Sequence, residues 1–210
     1  MFLVKKMSIQ RKVTYWENPG KEHTQETLRI ALEGARDHGI NTVIISSTTG
    51  YTALEAVKVF KDSGVKLVIV THATGYREKG VQMMPNEVRS KLLDEGCIVI
   101  TCTDVLTGAV SVGISRQRPE KTGSLEARLP WIVPPPNVIV ANTLRMFSQG
   151  VKVCAEVAMM AVDCNAVPSG SRVIVVAGSH AGADTAMVLE AAESSRIRDL
   201  KLHEILCKPL

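Results

Sequence analysis

Apolar residues in this chain gather into two kinds of pattern that alternate. Residues 42–45, 66–71, 97–101 and 172–177 are short, nearly unbroken runs of Val, Ile and Leu, the signature of strands buried on both faces. Amphipathic stretches with a helical repeat stand before the first of these and between the first three. One reaches about His38, with Thr24 as its expected cap, Leu28, Ala31, Leu32 and Ala35 on one face and Gly39 beyond its end. A second carries Leu54, Val57 and Phe60 and stops at Gly64. A third starts at Pro85, turns Val88 and Leu92 inward and stops at Gly96. Strands alternating with amphipathic helices predict a parallel sheet with helices on both faces.

From about residue 103 to 136 the rhythm breaks, with Gly108, Gly113, Gly123 and three successive prolines, which predicts a loop-rich excursion rather than a second domain. Asn137 is the expected cap of a helix reaching about Gln149, and residues 151–165 read as a helix apolar on most sides and therefore buried. Residues 185–189 are a fifth candidate strand and residues 202–206 a last, edge strand. The whole is expected to be a single α/β domain over residues 1–210.

Composition narrows the function classes. A hydrophobic content of 45% in 210 residues is ample for a sizeable core. The net charge of +4 is mild and interleaved, so nucleic acid is not implied. The start Met1-Phe2-Leu3-Val4-Lys5-Lys6 puts its charges after the apolar run, the reverse of a signal peptide, and no stretch has the length of a membrane span. The five cysteines lack CxxC spacing and read as reduced thiols, and no metal-ligand spacing is visible among the five histidines. These readings predict a cytoplasmic protein without membrane or nucleic-acid partners. A homo-oligomer is expected.

The chemistry concentrates where strands end. Ser46, Ser47, Thr48, Thr49, Gly50, Tyr51 and Thr52 place a cluster of hydroxyls around one glycine between a buried strand and a helix start. Such a turn gathers free backbone N–H groups at the positive end of a helix dipole, which suits a phosphate. Thr52 with Glu55 is also a capping box, which accounts for one hydroxyl and the glutamate but not for the others. No lysine follows the glycine, so the loop is not a Walker motif. Two further loops leave strands at the same end: Thr71, His72, Ala73, Thr74, Gly75 and Tyr76, then Gly178, Ser179, His180, Ala181, Gly182, Ala183, Asp184 and Thr185. Three such loops at the carboxyl ends of parallel strands predict a pocket. The Gly178-to-Gly182 spacing is not a dinucleotide fingerprint, which disfavours NAD.

His72 and His180 could meet across that pocket as acid–base groups, or each could be satisfied by backbone. Glu156 and Asp163 lie seven apart on the buried helix and need partners, either loop amides or ligand hydroxyls, with Glu156 the better ligand candidate. Met83 and Met84 before Pro85 could pack on a flat ring or fill core. Gly50 is expected to let the backbone approach the anion, so that Gly50→Val blocks the ligand and leaves the sheet folded.

The segment 42–53 resembles the effector-phosphate loop in the C-terminal domain of pyruvate kinase. The whole chain is similar to the small stand-alone pyruvate kinase C-terminal domain-like proteins of archaea and bacteria. The matching pieces are Asn18-Pro19-Gly20-Lys21-Glu22, Ser46-Ser47 with Gly50, Met84-Pro85 with Glu87, Lys152-Val153-Cys154 with Glu156, and Gly182-Ala183-Asp184-Thr185-Ala186. The resemblance implies a three-layer αβα sandwich, mainly parallel with an antiparallel edge strand, and a flavin mononucleotide (FMN) site. It implies no activity, and the kinase's eight-stranded barrel of about 250 residues does not fit in this chain. Three functions are carried forward: an FMN-binding protein with a possible redox role, a non-redox sensor of a phosphorylated metabolite, and a sugar-phosphate isomerase or lyase using His72 or His180.

Overall fold

The computed structural model describes residues 8–107 and 134–210. These residues build one seven-stranded sheet from β1 (Thr14–Trp16), β2 (Thr42–Ser46), β3 (Lys66–His72), β4 (Ile98–Cys102), β5 (Arg172–Ala177), β6 (Thr185–Glu190) and β7 (Lys201–Pro209). The order across the sheet is β1-β7-β6-β5-β2-β3-β4. All neighbouring pairs are parallel except those of β6, which runs against both β5 and β7. The chain forms a mostly parallel α/β sandwich, with its antiparallel pairing confined to the β1 side.

The apolar runs become strands because both faces of the sheet are covered. Val43 and Ile45 of β2 point into a core shared with α1 (Thr24–His38), α2 (Tyr51–Phe60) and α3 (Asn86–Asp94). Ile44 points the other way, into a core shared with α5 (Gln149–Asp163), on which α4 (Pro136–Arg145) packs. All three are fully buried, and each such side chain contributes about 1.5–3 kcal/mol of burial free energy. Helix α5 is buried along nearly its whole length, as a sequence apolar on most sides predicts.

Several boundaries differ from expectation, each for a local reason. The 202–206 strand is longer and is not the edge. Three-residue β1 pairs outside β7 (Thr14 opposite Cys207) and is too short to show a period in sequence. Thr24 is the first helical residue of α1 and not its cap. Asn137 does not cap α4; Pro135 holds the cap position, Pro136 opens the helix, and Asn137 Nδ2 donates to the Leu106 carbonyl (3.0 Å). Helix α5 starts earlier than expected because Ser148 Oγ accepts from the Val151 amide (3.1 Å). Most of the loop-rich excursion, residues 108–133, lies outside the described residues. Among the described residues, no helix is long and apolar enough to cross a membrane.

Candidate functional site

Strand β2 delivers Ser46 beside Val70 of β3, and the ladder runs one residue further, with the Ser47 amide donating to the Val70 carbonyl (2.9 Å). The chain then turns. Thr71 Oγ1 donates to the Thr48 carbonyl (3.0 Å), Gly50 takes a left-handed conformation at φ 96°, and α2 begins at Tyr51. The first helical carbonyl contact is Leu54 N to Gly50 O (2.9 Å), and the Ala53 amide donates to Ser47 Oγ (3.2 Å). The amides of Thr48, Thr49, Gly50, Tyr51 and Thr52 therefore have no protein acceptor among the described residues. Five open N–H groups at the positive end of a ten-residue helix form a cradle of donors, an arrangement that favours negative charge.

The capping box is not made. Ser47, six residues back, supplies the cap, while Glu55 accepts from Gln25 Nε2 and from Lys58 Nζ (2.5 Å). The Gly50 expectation is also corrected. A Cβ at Gly50 would lie 2.2 Å from Val88 Cγ1, so the position faces α3 and not the anion, and its glycine serves helix packing and the left-handed turn.

The cradle opens into a cavity of about 520 Å³ at the carboxyl ends of the parallel strands. Of the residues expected there, Ser46, Ser47, Thr48, Thr49, Thr52, Thr71, His72, Glu156, Gly178, His180 and Gly182 line it. Gly50, Thr74, Gly75, Met84, Ala183, Asp184 and Thr185 do not. Met84 is fully buried in the core beside Gly50, and Met83 faces the cavity in its place. Thr74 and Gly75 are exposed at the loop tip. Asp184 turns inward: its carboxylate accepts from the Ser179 amide (3.1 Å) and Thr185 Oγ1 (2.8 Å), which closes the third loop on itself.

Both carboxylates of the buried-helix argument find protein partners. Glu156 Oε1 accepts from the amides of Leu106 (2.8 Å) and Thr107 (2.9 Å), and Oε2 from Lys152 Nζ (2.5 Å). Asp163 is exposed and accepts from the Ser194 amide (2.9 Å). His72 is not satisfied by backbone: its Nδ1 donates to Asp104 Oδ1 (3.0 Å), and its ring stacks on Tyr76 with centroids 4.0 Å apart. His180 is exposed on the cavity rim and has no hydrogen-bond partner among the described residues.

The structure adds side chains that local sequence reasoning did not select. Lys21, Arg77, Arg145 and Lys152 line the cavity against two acids, Asp104 and Glu156. Among the described residues Lys21, Arg77 and Arg145 make no ion pair. Lys21 Nζ instead sits 3.8 Å from the centre of the Tyr51 ring, beside the cradle. Lys152 and Asp104 each left a trace in the sequence. Lys152 is a lone cation four residues before Glu156 on an apolar helix, and Asp104 follows a fourth strand end that also opens into the pocket.

The cysteines are all free thiols and none lines the cavity. Burial, and next a hydrogen bond with Cys164, push the Cys102 thiol up to about 12, which leaves it un-ionised and a poor nucleophile.

The family model described as pyruvate kinase, alpha/beta domain, matches residues 25–189. The match runs from α1 through β6 and includes every cavity residue except Lys21, which the preceding segment supplies.

Proposed function

The chain belongs to the pyruvate kinase alpha/beta domain family, and from that premise we propose that its cavity binds a phosphorylated ligand, flavin mononucleotide, through the phosphate. The observation that carries the reading is the set of five amides at residues 48–52 and three cavity cations, Lys21, Arg77 and Arg145, that have no acceptor and no carboxylate partner, respectively, among the described residues. A dianion is the species such a set neutralises, since each charge-assisted hydrogen bond is about twice as strong as a neutral one. The residues present fit the group. A cavity of about 520 Å³ lies within the usual range for cofactor sites, and Tyr76, His72 and Met83 offer flat or adaptable surface to a ring.

Ser47, Thr48, Thr49 and Thr52 would hold the phosphate together with Lys21, while Arg77 and Arg145 stand further along the wall. A bound flavin would supply the electron-transfer chemistry; the protein's own part is binding, orientation and exclusion of water.

The visible spectrum of the purified protein, with mass analysis of what denaturation releases, tests the ligand directly. In titration, riboflavin is expected to bind at least tenfold more weakly than flavin mononucleotide, because charge-assisted hydrogen bonds contribute about 1.5–3 kcal/mol each. Equal affinities would remove the phosphate from the cradle.

A further inference from the structure

Two buried carboxylates border the cavity, and the fold treats them differently. Glu156 collects two amides and an ammonium. Asp104, 8% exposed, makes its only side-chain hydrogen bond among the described residues to His72 Nδ1. A carboxylate is costly to bury, and here it serves one imidazole. That imidazole is also held by the near-parallel Tyr76 ring (5° between planes), and Gln82 Nε2 pins the backbone beneath it by donating to the His72 carbonyl (2.9 Å). With Nδ1 donating to the carboxylate, Nε2 of the neutral ring is left as a proton acceptor, on a residue that lines the cavity.

His72 stands one strand away from the cradle, and its neighbour Thr71 is bonded to the Thr48 carbonyl. Adjacent strands lie about 4.8 Å apart, so an anion on the 48–52 amides brings the atoms a few bonds beyond phosphorus towards the imidazole. The buried Lys152, 3% exposed, also lines the cavity. It donates to Glu156 and to Thr107 Oγ1 (2.7 Å), which leaves one of its three protons for a ligand oxygen. Asp104 and Thr107 lie on the same short turn after β4, so base and ammonium are anchored to one element.

We propose that His72, Asp104 and Lys152 form a proton-transfer centre acting on a phosphorylated α-hydroxy aldehyde or ketone. His72 Nε2 takes the proton from the hydroxyl-bearing carbon next to the carbonyl. The C–H electron pair becomes the carbon–carbon double bond of an enediol, and the carbonyl π pair moves onto oxygen, where Lys152 faces it. Return of the proton to the neighbouring carbon, with the hydroxyl proton passing between the two oxygens, gives the isomeric carbonyl compound and restores neutral His72. No oxidant or reductant is consumed. Asp104 is a positioning residue that orients the ring and stabilises the imidazolium. The inference rests on the phosphate reading above and not on the ligand being a flavin.

The test is proton NMR of the full chain with dihydroxyacetone phosphate, erythrose 4-phosphate and ribose 5-phosphate in deuterated water, beside calorimetric titration with inorganic phosphate. The wild type is expected to exchange the α-proton of at least one compound, with inhibition by flavin mononucleotide, which needs the same cradle. His72→Gln should lower exchange by at least ~100-fold and leave phosphate affinity within about twofold, since the amides at 48–52 and Lys21 that would hold the phosphate are untouched. Asp104→Asn should lower kcat with KM little changed. Exchange by His72→Gln at the wild-type rate, or no exchange by a wild type that binds phosphate, overturns the proton-transfer centre alone. A wild type that does not bind phosphate overturns the cradle and this proposal with it.

Discussion

The loops at 46–52 and 178–184 leave neighbouring strands at the same end of the sheet, and both carry glycine among small polar residues. Their surroundings give them opposite electrostatic character. The first runs into α2, so its amides meet a helix dipole and stay open, with Lys21 close by. The second runs into a strand, β6, and wraps around the buried Asp184 carboxylate, whose partners are the Ser179 amide and the Thr185 hydroxyl. The first loop presents free donors and the second has an acid bound within it. A glycine-rich turn after a strand keeps its amides open here where a helix follows it, and turns them inward where an acid fills it.

The negative character of the second loop extends below it. Burial pushes the Cys207 thiol up to about 12, with Asp184 adding in the same direction, and burial pushes Cys154 up as well, with Cys207 and Asp184 contributing. The unfolded chain releases the Cys207 proton near 9.0, while the folded protein keeps it to about 12. Stability is thus whole below pH 9 and declines as pH rises towards 12, by roughly 4 kcal/mol from Cys207 alone. Denaturant melts at pH 8, 10 and 11 check this, and a flat profile would mean that the Cys207 thiol beneath the second loop is not shielded from water as the structure places it.

Gly182→Ala tests the structural role of the same loop. Gly182 has φ 75°, and a Cβ there would lie 2.3 Å from Thr24 Oγ1 and 2.8 Å from the Lys21 Cα. The variant is expected to lose about 3 kcal/mol in urea unfolding. A full-stability variant that instead loses phosphate affinity would move the anion to the second loop. The smallest effect is expected on the other side of the comparison. Lys21→Met should weaken phosphate binding about tenfold while stability changes by less than about 0.5 kcal/mol, because the side chain is a cation that makes no ion pair among the described residues and is not a core group. Unchanged affinity would leave the cradle to its amides alone. Gly50→Val separates nothing, since its collision with Val88 disturbs α2–α3 packing along with any ligand.

The four long apolar runs and the helix from Thr24 to His38 were legible because burial on two faces, or on one helical stripe, leaves a period in the chain. Strand β1 was not, since three residues cannot show a period and its pairing is decided by β7, almost two hundred positions away. In the site, the hydroxyl loop was legible as strand, glycine and helix start. Lys21, Arg77, Arg145 and Asp104 come from four separate segments, and no local spacing connects them.

What the sequence determined by itself is the alternation of strands and helices, the strand–glycine turn–helix start at 46–52 and the lack of any dinucleotide or Walker spacing. Each follows from contacts within a few residues, where spacing is geometry. Only the tertiary structure decided that Glu156 is occupied by Leu106, Thr107 and Lys152, that Asp104 serves His72, and that Asp184 closes the second loop. A buried polar group takes whichever donors the fold brings within about 3 Å. That choice lies between segments far apart in the chain, so the same carboxylate in sequence becomes a structural clamp in one place and the support of a base in another.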